Sequence, residues 1–296
     1  MFELEISAII PAYNEEDAIA PVVKSLTEVL RRGAKSFEII VVDDGSTDRT
    51  FENARAAGVS AVRHPMNRGY GRSLMSGFAK AKYDWILMID ADGSYPPEEA
   101  EKLLAHAPDC DLVIGARQGK NYWGTPMQAW RRSIYLSLAG FVAGEEIPDA
   151  NSGLRLLRRS AFDKSMPFLC LGYSFTTTMT LSFIQSGRFV RYVPIRFDER
   201  TGKSKVKAVR DILRTLQIMA QMMIYYNPLK LAVTASAAIL AAAGAAYVWF
   251  RPLDPGAAVT AAAILCSAAA IVFFLGCLLD AVRLHFAAQK GPVALD

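Results

Sequence analysis

Short apolar runs alternate with segments of helical periodicity through the first 115 positions of the chain. Runs at 6–10, 37–42, 60–63, 85–89 and 112–114 have the continuous, largely Ile- and Val-rich character of strands buried on both faces. Segments 18–30, 50–57, 71–81 and 97–104 carry a helical pattern, the last opened by Pro97 at a first-turn position. This alternation predicts an α/β fold, a mostly parallel sheet flanked by helices. Ligands of such sheets sit beyond the carboxyl ends of the strands.

Further along, Val206, Val209, Leu213, Leu216, Met219, Met222 and Met223 recur at helical spacing opposite Lys207, Arg210, Arg214, Gln217 and Gln221. An amphipathic helix lying in a membrane interface is expected there. Beyond residue 229 the polar stripe disappears. Runs 231–250 and 256–279 hold no charge, and about 20 helical residues cover the ~30 Å hydrocarbon layer. Arg251-Pro252-Leu253-Asp254 between them suits only a turn. The expected organisation is therefore an α/β domain at 1–205, an interfacial helix at 206–228 and a transmembrane hairpin at 229–296.

Composition agrees with this division. The 296 residues are 52% hydrophobic and 21% charged, yet the last 68 contain only seven charged side chains. The rest of the chain has an ordinary soluble charge density, so disordered, collagen-like and disulfide-scaffold classes are excluded. Lys and Arg crowd the segment before the first apolar run, and Arg283 and Lys290 follow the second. By the positive-inside rule both ends of the hairpin, and the domain, lie in the cytoplasm as part of a multi-pass inner-membrane protein. The opening Met1-Phe2-Glu3-Leu4-Glu5 is acidic and runs into a strand, so no secretory leader is expected. Net charge is +4 without a large single-sign block, which argues against a nucleic-acid partner. Cys110, Cys170, Cys266 and Cys277 lack metal-ligand spacing and read as reduced. Small residues such as Ala241-Ala242-Ala243-Gly244 would let membrane helices of two copies pack closely, so a homo-oligomer is compatible with the sequence.

The chemistry stands at the strand ends. Pro11-Ala12-Tyr13-Asn14-Glu15-Glu16 follows the first strand, Asp43-Asp44-Gly45-Ser46 the second, Asp90-Ala91-Asp92-Gly93-Ser94 the fourth and Gly115-Ala116-Arg117 the fifth. Each alone reads as turn chemistry. Together they bring carboxylates, an aromatic ring and a guanidinium to one sheet edge. Asp90 and Asp92 are spaced to converge on one oxygen-seeking cation, and Mg²⁺ or Mn²⁺ suits a site of two carboxylates completed by substrate phosphates and water. A calcium loop fails, because Tyr95 holds its sharp-turn position and Pro96-Pro97 break it. Gly69-Tyr70-Gly71 lacks the third glycine of a dinucleotide fingerprint, with Leu74 in its place. With only His64, His106 and His285, neither a zinc site nor a histidine triad is expected, and His64 and His106 read as surface imidazoles.

Ile9-Ile10-Pro11-Ala12-Tyr13-Asn14-Glu15, Val41-Val42-Asp43-Asp44-Gly45-Ser46-Thr47-Asp48, Asn67-Arg68-Gly69-Tyr70-Gly71 and Asp90-Ala91-Asp92-Gly93 resemble glycosyltransferase family 2, with its GT-A nucleotide-sugar fold. Asp149-Ala150-Asn151-Ser152-Gly153-Leu154-Arg155 and Arg200-Thr201-Gly202-Lys203-Ser204-Lys205 are similar to segments of the dolichol- and polyprenyl-phosphate glycosyltransferases. The two-helix tail is similar to that of the bacterial polyprenyl-phosphate hexosyltransferases. The resemblance implies that Pro11, Tyr13 and Glu15 line the base and ribose, with Asp43 or Asp44 accepting from the base. It puts Ala91 and Arg131 among the nucleotide-sugar contacts and Asp90 and Asp92 on the metal, with Ser94 as a third metal candidate. Arg117 would contact phosphate; the sequence does not separate Arg131 from its neighbour Arg132 in that role. Arg200, Lys203, Ser204 and Lys205 would receive the acceptor phosphate, and Asp92, Arg117 and Arg200 form the implied catalytic set. Many relatives carry a Glu where Thr176-Thr177-Thr178 stand here, which leaves the sugar open.

The resemblance thus implies metal-dependent, inverting transfer of a hexose from a UDP- or GDP-linked sugar to a polyprenyl phosphate at the cytoplasmic membrane face. Two alternatives remain: a family 2 polysaccharide or glycolipid synthase with another acceptor, and an inactive nucleotide-sugar-binding scaffold.

Overall fold

The computed structural model describes residues 3–162, 175–199 and 208–289. The chain divides into two compact units, Met1–Ile218 and Met219–Asp296. In chain order the first holds β1 (Glu5–Ala12), α1 (Ile19–Gly33), β2 (Ser36–Asp43), α2 (Thr50–Ala56), β3 (Ser60–Arg63), α3 (Tyr70–Lys80), β4 (Trp85–Met88), α4 (Ala100–Leu104), β5 (Leu112–Gln118), α5 (Lys120–Trp123), α6 (Pro126–Ala143), β6 (Arg155–Arg158), α7 (Phe175–Gln185) and β7 (Val190–Arg196). The boundary falls within α8 (Ala208–Tyr226).

The seven strands form one sheet in the order β3-β2-β1-β4-β6-β5-β7. All neighbours pair in parallel except β6, which is antiparallel to β4 and to β5. The expected α/β fold with a mostly parallel, helix-flanked sheet is therefore present. Strand alternation divides the core in two. Ile6, Ala8 and Ile10 of β1 pack with Val22, Leu26 and Leu30 of α1 and Leu103 and Leu104 of α4. Ile9, with Ile40 and Val42 of β2, faces Leu74 and Phe78 of α3 and Phe175 and Phe183 of α7 on the other side. Such strands have no solvent face, which is why their sequences read as unbroken apolar runs. The carboxyl ends of β1, β2, β4 and β5 consequently share one edge.

The second unit is built on α9 (Pro228–Phe250) and α10 (Pro255–Gln289). Both helices are long and apolar enough to cross a membrane. Asn227 accepts from the Lys230 amide to cap α9, and Asp254 Oδ1 accepts from the amides of Gly256 and Ala257 to start α10, so the turn between them is only four residues long. The helices meet closely: Ser236 Oγ donates to the Ala269 carbonyl at 3.0 Å, and a Cβ on Gly276 would collide with Ala232. Helix α10 continues past the uncharged run through an Asp280–Arg283 ion pair of 2.9 Å. Its 35 residues extend about 52 Å, more than a ~30 Å hydrocarbon layer requires.

Candidate active site

The loops after β1 and β2 hold each other by hydrogen bonds. The Asn14 amide donates to Ser46 Oγ (2.9 Å), the Thr47 amide to Asn14 Oδ1 (2.9 Å) and the Glu15 amide to Thr50 Oγ1 (2.8 Å). Asn14 adopts a positive φ of 51°, a region that asparagine enters more readily than most residues. Gly45 has φ 73°, and a Cβ there would stand 2.6 Å from the Met66 backbone, so only glycine fits. Pro11 is buried, while Tyr13 and Glu15 are half-buried on this edge.

Adjacent carboxylates in the second loop are engaged differently. Asp44 accepts from the amides of Arg68 (2.9 Å) and Gly69 (2.7 Å) and from His64 Nδ1 (2.7 Å), which ties it to the loop entering α3. His64 also meets Ser76 Oγ at 2.8 Å through Nε2. Its side chain is 11% exposed, so the reading of His64 as a surface imidazole is corrected: Asp44 and Ser76 draw the ring inward. Asp43 is fully buried and accepts from the Ser46 amide through Oδ1. Its Oδ2 lies 3.1 Å from Arg63 Nε, but without hydrogen-bond alignment to any described residue.

After β4, Asp90 and Asp92 are half-buried at the edge. Tyr70 donates its hydroxyl to Asp90 Oδ1 at 2.9 Å. Burial, and then the charge of Asp90, push the Tyr70 phenol well above its ordinary range, so it remains a donor. Asp92 Oδ1 accepts from the Ser94 amide (3.0 Å) and from Ser94 Oγ (2.5 Å). Ser94 is thus buried with its hydroxyl directed at Asp92, in the position of a group that orients a ligand carboxylate. Ala91 points its methyl into the core and has only backbone to offer a ligand. Among the described residues no group of three or more His, Cys, Asp or Glu side chains could enclose a metal. Two edge carboxylates suit an ion that takes its other ligands from phosphates and water, as Mg²⁺ and Mn²⁺ do, so the donor set fits the expected metal.

The loop at 149–153 joins the carboxylates to a cationic corner. A Cβ on Gly153 would collide with the Asp90 carboxylate, so this backbone lies directly against Asp90. Arg155, fully buried, clamps the loop by donating to the carbonyls of Ala150 (2.8 Å) and Ser152 (2.8 Å) and to Thr180 Oγ1 (2.8 Å). Asp149 in turn accepts a two-pronged bond from Arg117, 2.7 Å from Nε and 2.9 Å from Nη2. The Arg117 guanidinium lies 4.8 Å from the centroid of the Tyr122 ring, and that of Arg132 lies 4.5 Å from the same centroid. Arg132 Nη1 is buried without a hydrogen-bond partner among the described residues.

Helical phase separates Arg131 from Arg132. Arg132 shares the inner face of α6 with Tyr135, Ala139 and Val142, whereas Arg131 is exposed. Tyr135 Oη is 3.1 Å from Asn151 and 2.7 Å from Thr177, and Thr177 also bonds Asn151. Of the buried threonines that stand where many relatives have a Glu, Thr177 thus belongs to a hydroxyl–amide cluster behind the loop. Tyr70 and Arg155 lie within motifs that the sequence shows, whereas no sequence signal marks Tyr122 or Tyr135. Arg200, Lys203, Ser204 and Lys205 lie outside the described residues.

The model of the family described as glycosyl transferase family 2 matches residues 7–166. The chain is 32% identical to the undecaprenyl-phosphate 4-deoxy-4-formamido-L-arabinose transferase of Edwardsiella ictaluri, over 68% of this chain and 62% of that protein. It is 29% identical to the low-salt glycan biosynthesis hexosyltransferase Agl6 of Haloferax volcanii, over 72% of this chain and 52% of that protein. The matches thus span between about half and two thirds of these relatives' length. Among solved structures, glucosyl-3-phosphoglycerate synthase of Mycobacterium tuberculosis, in complex with Mn²⁺, UDP and glucosyl-3-phosphoglycerate, superposes with a TM-score of 0.55 at 22% identity, covering 75% of this chain and 78% of that one. That likeness is one of fold and agrees with the GT-A architecture.

Proposed function

The chain belongs to glycosyl transferase family 2, and on that premise we propose that it moves a hexose from a nucleotide-diphosphate sugar, UDP- or GDP-linked, to the phosphate of a membrane polyprenol. The observation that carries this reading is the joining of the Asp90/Asp92 carboxylates, through the 149–153 loop, to the corner formed by Arg117, Tyr122 and Arg132. Two helices long and apolar enough to cross a bilayer, and a relative named for transfer to undecaprenyl phosphate, favour a lipid acceptor.

In this reading Pro11, Tyr13 and Glu15 line the base and ribose. Asp43 rather than Asp44 accepts from the base, because Asp44 is already committed to the Arg68 and Gly69 amides. Asp90 and Asp92 would hold Mg²⁺ or Mn²⁺ against the diphosphate, oriented by the Tyr70 and Ser94 hydroxyls. When bound, the ion supplies charge neutralisation for the departing diphosphate. Arg117, aligned by Asp149, and Arg132 draw together donor and acceptor groups that repel each other. Arg132 takes the place that the sequence could not separate from Arg131. An acceptor phosphate, with a second pKa of about 6, is mostly dianionic at neutral pH and needs orientation rather than a general base. Arg200, Lys203, Ser204 and Lys205 receive it. A single displacement from the face opposite the leaving group inverts the anomeric carbon. The Lys and Arg distribution favours a catalytic unit on the cytoplasmic face of the inner membrane.

The test is to incubate the full chain and undecaprenyl phosphate with a panel of nucleotide sugars and weigh the lipid product. One sugar–phosphate–lipid mass is expected. Sugar found only as a long polymer, or only as free hexose, overturns the reading.

A further inference from the structure

The loop at 149–153 runs from the arginine corner to the Asp90 carboxylate, and nearly all of its polar capacity is spent inside the protein. Asp149 binds Arg117 and also accepts from the Asn151 amide at 3.0 Å. The Ala150 and Ser152 carbonyls accept from Arg155, and the Gly153 amide donates to Tyr95 Oη at 2.7 Å. Ser152 Oγ accepts from the Leu154 amide at 3.3 Å. Asp149, Ala150, Ser152 and Gly153 are buried; Asn151 alone is partly exposed. Its carboxamide is held from behind. Oδ1 meets the hydroxyls of Tyr135, from α6, and Thr177, from α7, and these hydroxyls meet each other at 2.7 Å. Burial holds the Tyr135 phenol above its ordinary range, so it stays protonated as a donor. With Oδ1 engaged in this way, Nδ2 and its two N–H groups are turned away from the cluster, and no described residue accepts from them.

We propose that Asn151 reads the donor sugar: its N–H groups donate to one hydroxyl oxygen of the hexose, and Tyr135 and Thr177 are positioning residues that set the angle of the amide. This role rests on the proposed donor site, with the diphosphate between Asp90/Asp92 and the arginine corner. A sugar joined to a diphosphate held at both ends of the loop lies across the middle of it, where Asn151 is the one side chain of the loop that reaches the open edge. The chemistry of the group suits recognition. A carboxamide carries no charge and exchanges no proton at neutral pH, so it neither activates a nucleophile nor neutralises a phosphate, but its directed N–H donors match an uncharged oxygen acceptor. A donor fixed in angle separates a sugar from its epimer or deoxy analogue, because the wrong sugar leaves that donor unpaired. The ligand class selected is therefore a neutral hexose with a hydroxyl at the contacted carbon.

The full chain in detergent micelles is titrated, with Mn²⁺ and without acceptor, with UDP-glucose, UDP-galactose and GDP-mannose, with the monodeoxy analogues of the tightest binder, and with UDP and GDP. Asn151→Ala is expected to lose about tenfold in affinity for the tightest sugar nucleotide and nothing for the bare diphosphate. For one monodeoxy analogue, the one without the contacted hydroxyl, parent and variant should bind alike. Thr177→Val, which leaves every residue of the loop in place, should give the same pattern at smaller size, and Thr177→Ser should restore the parent affinity. A loss shared equally by sugar nucleotide and bare diphosphate would make Asn151 a fixture of the loop and overturns the proposal. Unchanged affinities in Asn151→Ala overturn it too, and leave the proposed transfer standing. Binding of none of these ligands defeats both. The measurement needs no turnover, so the expected pattern in a chain that makes no lipid-linked sugar would defeat the proposed transfer and leave the role of Asn151 standing.

Discussion

The loops after β2 and β4 each close a buried parallel strand with two carboxylates, and their surroundings differ. Asp43 and Asp44 are 0% and 4% exposed, and Asp44 is bound to the chain's own amides. Asp90 and Asp92 stay half-buried at the edge, steadied by the hydroxyls of Tyr70 and Ser94. Asp44, whose two oxygens accept from the Arg68 and Gly69 amides and from His64, fixes the loop that enters α3; Asp90 and Asp92, partly exposed, keep a face open toward the edge. The same sequence signature, aspartates after a strand, therefore covers a structural task and a chemical one.

Substitutions can break this comparison at either end. The largest effect is expected from Asp92→Asn, which keeps the shape and removes the charge: transfer should fall by about 10³-fold or more, with the melting temperature nearly unchanged. A melting shift as large as the activity loss would make Asp92 structural instead. Next, Arg132→Ala should lower kcat/KM by about 100-fold, the cost of one phosphate donor, while Arg131→Ala, on the exposed side of α6, should stay within about threefold. The opposite ranking would return the role to Arg131. Asp44→Asn leaves two amides and an imidazole poorly matched and should cost about 2 kcal/mol of stability, read as a melting decrease of roughly 4–8 °C. An unchanged melting temperature with lost donor binding would put Asp44, not Asp43, on the base. Smallest, Tyr70→Phe should raise the divalent-metal concentration needed for half-maximal rate about tenfold, the usual cost of removing a group that orients a ligand.

What the sequence reveals and what it hides follows from these physical distinctions. Continuous burial makes β1, β2, β4 and β5 visible as apolar runs, and with them the edge where the ligands belong. Strand β6 is hidden because Arg155 and Arg158 bracket its two leucines, and only the fold shows the first arginine to be buried behind the 149–153 loop. The choice between Arg131 and Arg132 depends on helical phase, about 100° per residue, and the expected helices stopped short of α6. His64 was misread because its partners are 20 residues before it and 12 after it, distances that no local pattern records. The hairpin, by contrast, was legible to within a few residues at three of its four helix ends, since an uncharged run has no competing signal. Its second helix outruns the expected end at residue 279 because Asp280 and Arg283 pair with each other rather than stopping it.

The central claim is that the acceptor is a lipid phosphate brought to the arginine corner. Consumption of the preferred nucleotide sugar by the full chain in nanodiscs tests it directly, with undecaprenyl phosphate, undecaprenol or glycerol 3-phosphate supplied as acceptor. The account predicts rapid consumption with undecaprenyl phosphate alone, lost on Asp92→Asn. Equal consumption with glycerol 3-phosphate, or with no acceptor at all, would contradict it.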